Sequence, residues 1–244
     1  MPDSNSGSLA NRMYRRLMAV GPEKLAEGDT GAAPVRLRDV VYYGYEKGAW
    51  QLVRGTLFRL RLRRSGRRFF LGRGTRVLFP SHLSVGRNVA IGDYVYMTSF
   101  GKTGVTLGDN VRIREFGSVQ VTSHLSYPGE GLEVGDGTYI GPHCILGAGG
   151  GIRIGRNVTF GAYVQVLAEN HEFGEAGRPV NEQGVARKGI VIEDGCWLGN
   201  GVIVLDGVHI GRNAVVGAGS IVTQSLAEGA VAVGNPARTL RVRS

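Results

Sequence analysis

The sequence predicts an all-β fold, a triangular solenoid of short stacked parallel strands preceded by a partly helical extension. Three observations predict it. Aliphatic residues recur at every sixth position, in groups of three. Glycine is in excess at 40 of 244 residues, roughly twice its usual share. Gly also closes many of the six-residue units, often with Asn two places further on. A helix repeats near 3.6 residues and a strand at 2, so a period of six belongs to neither alone.

The coils follow in order along the chain. Val85, Ile91 and Met97 form the first group, then Leu107, Ile113 and Val119, then Val134, Ile140 and Leu146. Ile154, Phe160 and Val166 follow, then Ile192, Leu198 and Val204, and Ile210, Val216 and Val222 close the series. Each group fills 18 residues, and between groups the register slips by 4, 9, 2, 20 and 0 residues. Three units per coil imply a three-sided prism whose sides are strands and whose edges are turns. "GRN" at 86, 155 and 211 and "GDN" at 108 mark such edges, because Gly and Asn accept left-handed backbone angles at low cost. Stacked coils pair their backbones as parallel strands and satisfy N–H and C=O groups without helices. Each buried aliphatic contributes about 1.5–3 kcal/mol. Separate strands of an ordinary sandwich would not produce an 18-residue period. Cys144 and Cys196 stand four residues after the inward Ile140 and Ile192, where small residues recur, so both read as inward fillers rather than nucleophiles. The solenoid domain is expected over 67–233, with an extension over 1–66 and a basic tail over 234–244.

The extension lacks the repeat. "LANRMYRRLMAV" places Leu9, Met13, Leu17 and Val20 at helical spacing, and Trp50, Val53, Leu57 and Leu60 would share one helical face. Seven arginines lie between 54 and 68, within a net charge of +9. A basic amphipathic stretch of this kind either lies on an anionic membrane surface or packs on the first coil with its arginines in water. The overall charge suits an anionic partner. No nucleic-acid recognition motif accompanies it, so nucleic acid is not expected. The first twenty residues lack the continuous apolar core of a secretory signal, and no apolar run approaches 18 residues. The expected location is therefore the cytoplasm, with peripheral contact to the inner membrane as a further possibility. Two cysteines do not make a disulfide framework.

The 20-residue slip is the chain's chemical signal. Residues 172–191 form an extruded loop with no repeat of its own, and long loops on a rigid scaffold commonly carry function. The loop begins directly after His171, the sixth residue of the unit that starts at Val166. Strand alternation turns that position outward. His124 and His209 hold the same position in their own coils, so a histidine column binding metal is the rival reading. Metal needs three or four convergent ligands, and solvated surface histidines are the preferred reading of that pair, with no metal expected.

Residues 85–238 resemble the hexapeptide-repeat acyltransferases, whose fold is a left-handed parallel β-helix. "VVGAGSIVTQSLAEGAVAVGNPARTLR" at 215–241 is similar to the acetyl-coenzyme A-binding end of the galactoside, maltose and streptogramin O-acetyltransferases, and "NHEF" at 170, "CWLGNG" at 196 and "GNPAR" at 234 are its more specific motifs. The related gamma-class carbonic anhydrases carry two histidines five residues apart, a pair this chain lacks. The resemblance implies an acetyl-coenzyme A-dependent O-acetyltransferase acting on a sugar hydroxyl of a bacterial surface polysaccharide or its precursor, working as a homotrimer with each site between two solenoids. An N-acetyltransferase of an amino sugar or antibiotic, and a non-catalytic repeat scaffold, remain open.

The same resemblance implies roles for residues. His171 matches the general base, a role that suits an imidazole with a pKa near neutrality. Glu172 or Glu169 would orient it. Backbone groups at Gly199, Asn200 and Ala218 would meet the donor, Trp197 would wall the acyl pocket, and Thr223, Arg238 and Arg241 would serve the outer part of the donor. Gln224 stands where the family often has lysine. On the acceptor side the resemblance points to His143 in "GPHCILGAGG" and to Asn170, while the characteristic acceptor residues of galactoside transferases are absent.

Overall fold

The computed structural model describes residues 37–122 and 125–243. The helix expected over 9–20, and His124, lie outside the described residues.

The six-residue period builds a prism. In one coil the chain runs through Leu83–Val85 on face A, Val89–Ile91 on face B and Tyr96–Thr98 on face C, then returns to face A at Gly104–Leu107. Faces A and C each hold seven strands among the described residues, and face B holds nine. Pairing within the three faces is parallel except at the last strand of face B. The chain is thus a left-handed parallel β-helix with a short helical N-terminal part. The inward positions behave as their period requires: Ile91, Met97, Phe160, Val166, Leu198 and Val222 are all fully buried. One coil precedes those legible in the sequence. It consists of Arg64–Ser65, Phe69–Leu71 and Arg76–Leu78, and it was hidden because half-buried Ser65 occupies the place of its first aliphatic.

The three edges differ in how they satisfy the turn. The first edge, between faces A and B, has Asn88, Asn110, Asn157 and Asn213 at φ of 54° to 60°, and the Asn88 Nδ2 group donates to Asn110 Oδ1 at 2.8 Å. The second edge, between faces B and C, puts Tyr94, Phe116, His143 and Tyr163 in the same left-handed conformation. Bulky residues disfavour that conformation. Here their rings stack in a ladder, with centroids 5.5, 5.0 and 4.7 Å apart and planes within 12°, and ring stacking offsets the backbone cost. The third edge, between faces C and A, takes all the longer excursions, at 99–103, 121–130 and 168–189.

The extension is helical where it is described. Helix α1 (Leu37–Gly44) continues through a π-helical turn (Tyr45–Ala49) into α2 (Trp50–Phe58). Helix α2 packs on the edge strand Phe69–Leu71. Gly55 permits this contact, since a Cβ there would stand 1.9 Å from the Phe69 carbonyl oxygen. The Trp50, Val53, Leu57 and Leu60 face is not the packed one; those side chains are exposed. At the other end, residues 234–244, expected as a tail, instead supply the strand Ala237–Val242, which pairs antiparallel with Ala230–Gly234 and closes face B.

Candidate active site

His171 sits at the base of the longest excursion from the third edge. Asn170–His171 pairs antiparallel with Val185–Ala186, so a two-residue hairpin fixes its backbone while the side chains of Asn170, His171 and Glu172 stay exposed. Beside this hairpin a cleft of about 220 Å3 opens between Gln120, Gly147, Leu167, Glu169 and Arg187. Gly147 deepens it, because the step between Gln120 and Leu167 on the edge of face C carries no side chain.

Glu169 is not free to orient the imidazole. Its Oε2 accepts from Arg187 Nε at 2.6 Å, and Arg187 also donates to the Pro128 carbonyl at 3.4 Å. The Glu172 backbone N–H donates to Gly184 O, and no hydrogen bond between its carboxylate and His171 is present among the described residues. Arg187 was missed at the sequence level. Its signal was a cation in "ARK" where the excursion rejoins the coil, but only the pairing of Asn170 with Ala186 brings it to the cleft.

The residues expected to hold the donor gather elsewhere, at the second edge and on face B. Trp197, Val215, Val231 and Arg241 form one register column across face B, and Arg238 pairs with Val233 beside Gly217. Gly199, Asn200 and Ala218 lie at the second edge, above Tyr163. Two of the turns there share a device, in which the N–H of the middle edge residue is capped by the side chain one coil on. Arg73 N–H donates to Asp93 Oδ1 at 2.7 Å, and Ala162 N–H to Asn200 Oδ1 at 2.9 Å. The residue one coil after Asn200 is Ala218, which has no acceptor to offer. The Asn200 N–H therefore has no side-chain cap. The Gly199 N–H, also expected to meet the donor, is instead committed to Val216 O at 2.8 Å.

His143 lies in the aromatic ladder, sandwiched between Phe116 and Tyr163, so only its ring edge can meet a ligand. The ladder itself was unforeseen. Its members each stand three residues past an inward residue of face B, but seeing the column requires knowing which of three edges each one joins. Thr223 follows Val222 at the third-edge side of face C and does not join the donor group. Within one chain, then, the His171 group and the Asn200 group occupy opposite edges of face C, separated by at least the length of its three-residue strands, roughly 10 Å.

The other sequence candidates resolve simply. His209 lies on face A opposite Val191, with Nε2 3.0 Å from Glu193 Oε1, and so does not share a column with His171. No group of three or more His, Cys, Asp or Glu side chains able to hold a metal occurs among the described residues. Cys144 and Cys196 are buried, their thiols aimed at the Gly161 and Gly211 carbonyls at 3.2 Å.

Comparison with known proteins agrees with this architecture. Residues 189–224 match the family described as bacterial transferase hexapeptide (six repeats). The chain is 35% identical over 123 residues to a galactoside O-acetyltransferase of Lactococcus lactis subsp. lactis, over 50% of this chain and 58% of that protein. It thus spans little more than half the length of that curated relative. Among solved structures it is similar to AntD, an N-acyltransferase from Bacillus cereus in complex with dTDP and 3-hydroxybutyryl-CoA, with a TM-score of 0.54 and 19% identity over 78% of this chain and 88% of that one. A variant of the same enzyme with dTDP and coenzyme A gives a TM-score of 0.53 at 20% identity over the same shares. Both structural likenesses are of fold alone. Together these matches bear out the resemblance to the hexapeptide-repeat acyltransferases.

Proposed function

We propose that the protein is an acetyl-coenzyme A-dependent O-acetyltransferase acting in the cytoplasm on a sugar hydroxyl of a surface polysaccharide or its precursor, and that it works as a homotrimer. The observation that carries this reading is the exposed imidazole of His171, anchored by its hairpin beside a cleft.

His171 takes the proton of the acceptor hydroxyl, making the oxygen nucleophilic, and later delivers that proton to the sulfur that leaves. Bound acetyl-coenzyme A would supply the activated acetyl thioester. The residues present suit such a donor. The uncapped N–H of Asn200 offers a donor for an amide or thioester carbonyl, and Ala218 leaves room for an extended arm along the second edge. Trp197 is exposed on face B next to that path, and Arg238 and Arg241 lie exposed on the closing strand, where phosphates could reach them. Because the His171 group and the donor group lie on opposite edges of face C, the complete site is formed by the third edge of one protomer and the second edge of its neighbour. Asn170 and the ring edge of His143 are assigned to the acceptor.

His171→Ala is expected to lower kcat/KM for acetyl transfer by about 10²–10⁴-fold while leaving coenzyme A binding by calorimetry unchanged. A wild-type rate in the pure variant ends the base assignment. Absence of coenzyme A binding in the wild-type protein would instead point to a scaffold. The product should lose its acetyl group in mild alkali as an ester does; an alkali-stable amide would reassign the reaction to an amine.

A further inference from the structure

We propose that the helical extension docks the protein on an anionic lipid surface. Helix α2 packs one side on the solenoid and leaves its apolar side free. On the packed side Gln51 and Gly55 are buried, Phe58 and Leu62 rest against the core, and the Arg54 Nε group donates to the Leu71 carbonyl at 2.9 Å. The helix is therefore seated without any help from its other side. On that outer side Trp50, Val53, Leu57 and Leu60 form a ridge, with Leu57 69% and Leu60 91% exposed. Val41, Tyr42 and Tyr45 of the preceding turns are exposed as well. A contiguous apolar ridge of this size on a well-seated helix marks an interaction surface.

Charge identifies the occupant. Residues 47–92 contain ten arginines and one lysine and no acidic residue. This stretch alone carries +11, more than the +9 of the whole chain, so the basic excess is gathered at the helix and the first coil rather than around the residues assigned to the acyl donor. Arg61, Arg63, Arg64, Arg67 and Arg68 are exposed just beyond the ridge. An apolar ridge bearing Trp, Tyr and Leu, bordered by arginines, matches a bilayer interface with anionic headgroups, where each cation near the surface adds to binding. The same charge opposes a second copy, which would bring an equal basic patch against this one.

The test is flotation of the full-length protein with vesicles of phosphatidylcholine alone or mixed with phosphatidylglycerol at 7:3. Binding is expected to the mixed vesicles, at least about tenfold weaker to phosphatidylcholine, and weakened again in high salt. The double variant Leu57→Ser/Leu60→Ser should lose at least about tenfold in binding with no drop in melting temperature, since both side chains are exposed. Failure of the wild-type protein to float with the mixed vesicles overturns the proposal. So does undiminished flotation of the serine variant, which would reduce the effect to diffuse charge. A wild-type oligomer that the serine substitutions split, read by light scattering, assigns the ridge to a second copy and overturns it too. None of these readouts depends on acyl transfer.

Discussion

Cys144 and Cys196 show how the fold silences chemistry at single residues. Burial pushes both thiols up to about 11, so neither is a thiolate at neutral pH and neither should act as a nucleophile. A thiol reagent at pH 8 should find no reactive cysteine in the native protein and two after unfolding; prompt modification of the native state would contradict the burial. The carboxylates on the first edge behave in the opposite sense. Backbone and side-chain hydrogen bonds from Arg156 hold Asp194 below the usual carboxylate range, and Arg87 does the same for Asp109. A depressed folded pKa means that the charged form favours the native state. That contribution is complete above the unfolded value near pH 4 and disappears as pH falls through the lower folded value. Asp194→Asn should therefore flatten the fall of melting temperature between pH 4 and pH 2, and an unchanged slope would show that the pair contributes nothing.

Elements in this molecule are short, and their contacts leave little slack. The strands of the prism are two to six residues long, so register is held by inward aliphatics and by edge turns rather than by strand length. Helix α2 depends on one close approach. Gly55→Ala would drive a methyl group into the Phe69 backbone, which cannot yield as a flexible side chain could. The expected cost is about 1–3 kcal/mol, measured by chemical denaturation, with the helix displaced from the first coil. If the variant melted with the wild type, the seating of α2 would need another explanation. The inward positions of these strands were legible because, within each coil, the period of six runs through the first and second edges unbroken. The first coil was not, because Ser65 breaks it, and the closing strand was not, because Arg238–Val242 has no aliphatic period to reveal it.

At the scale of the whole molecule, the separation of His171 from Asn200 makes a specific demand. If each site takes its base from one protomer and its donor surface from the next, two inactive variants should rescue one another. Equal amounts of His171→Ala and Ala218→Trp chains, refolded together, should regain about a quarter of the wild-type sites by random assortment in a cyclic trimer. A site contained within one chain would regain none.

The sequence alone determined the three-sided coil, the outward histidine and the place of the long excursion, because each follows from a count of residues along the chain against a fixed period. Only the tertiary structure decided which edge each turn joins. That placement put Arg187 beside the cleft, gave Glu169 a partner other than His171, stacked His143 inside a ladder of rings, and left Asn200 uncapped because Ala218 lies above it. Those relations join residues one or more coils apart, roughly 20 to 60 positions along the chain, and the insertions between coils erase the fixed spacing that would have made them readable.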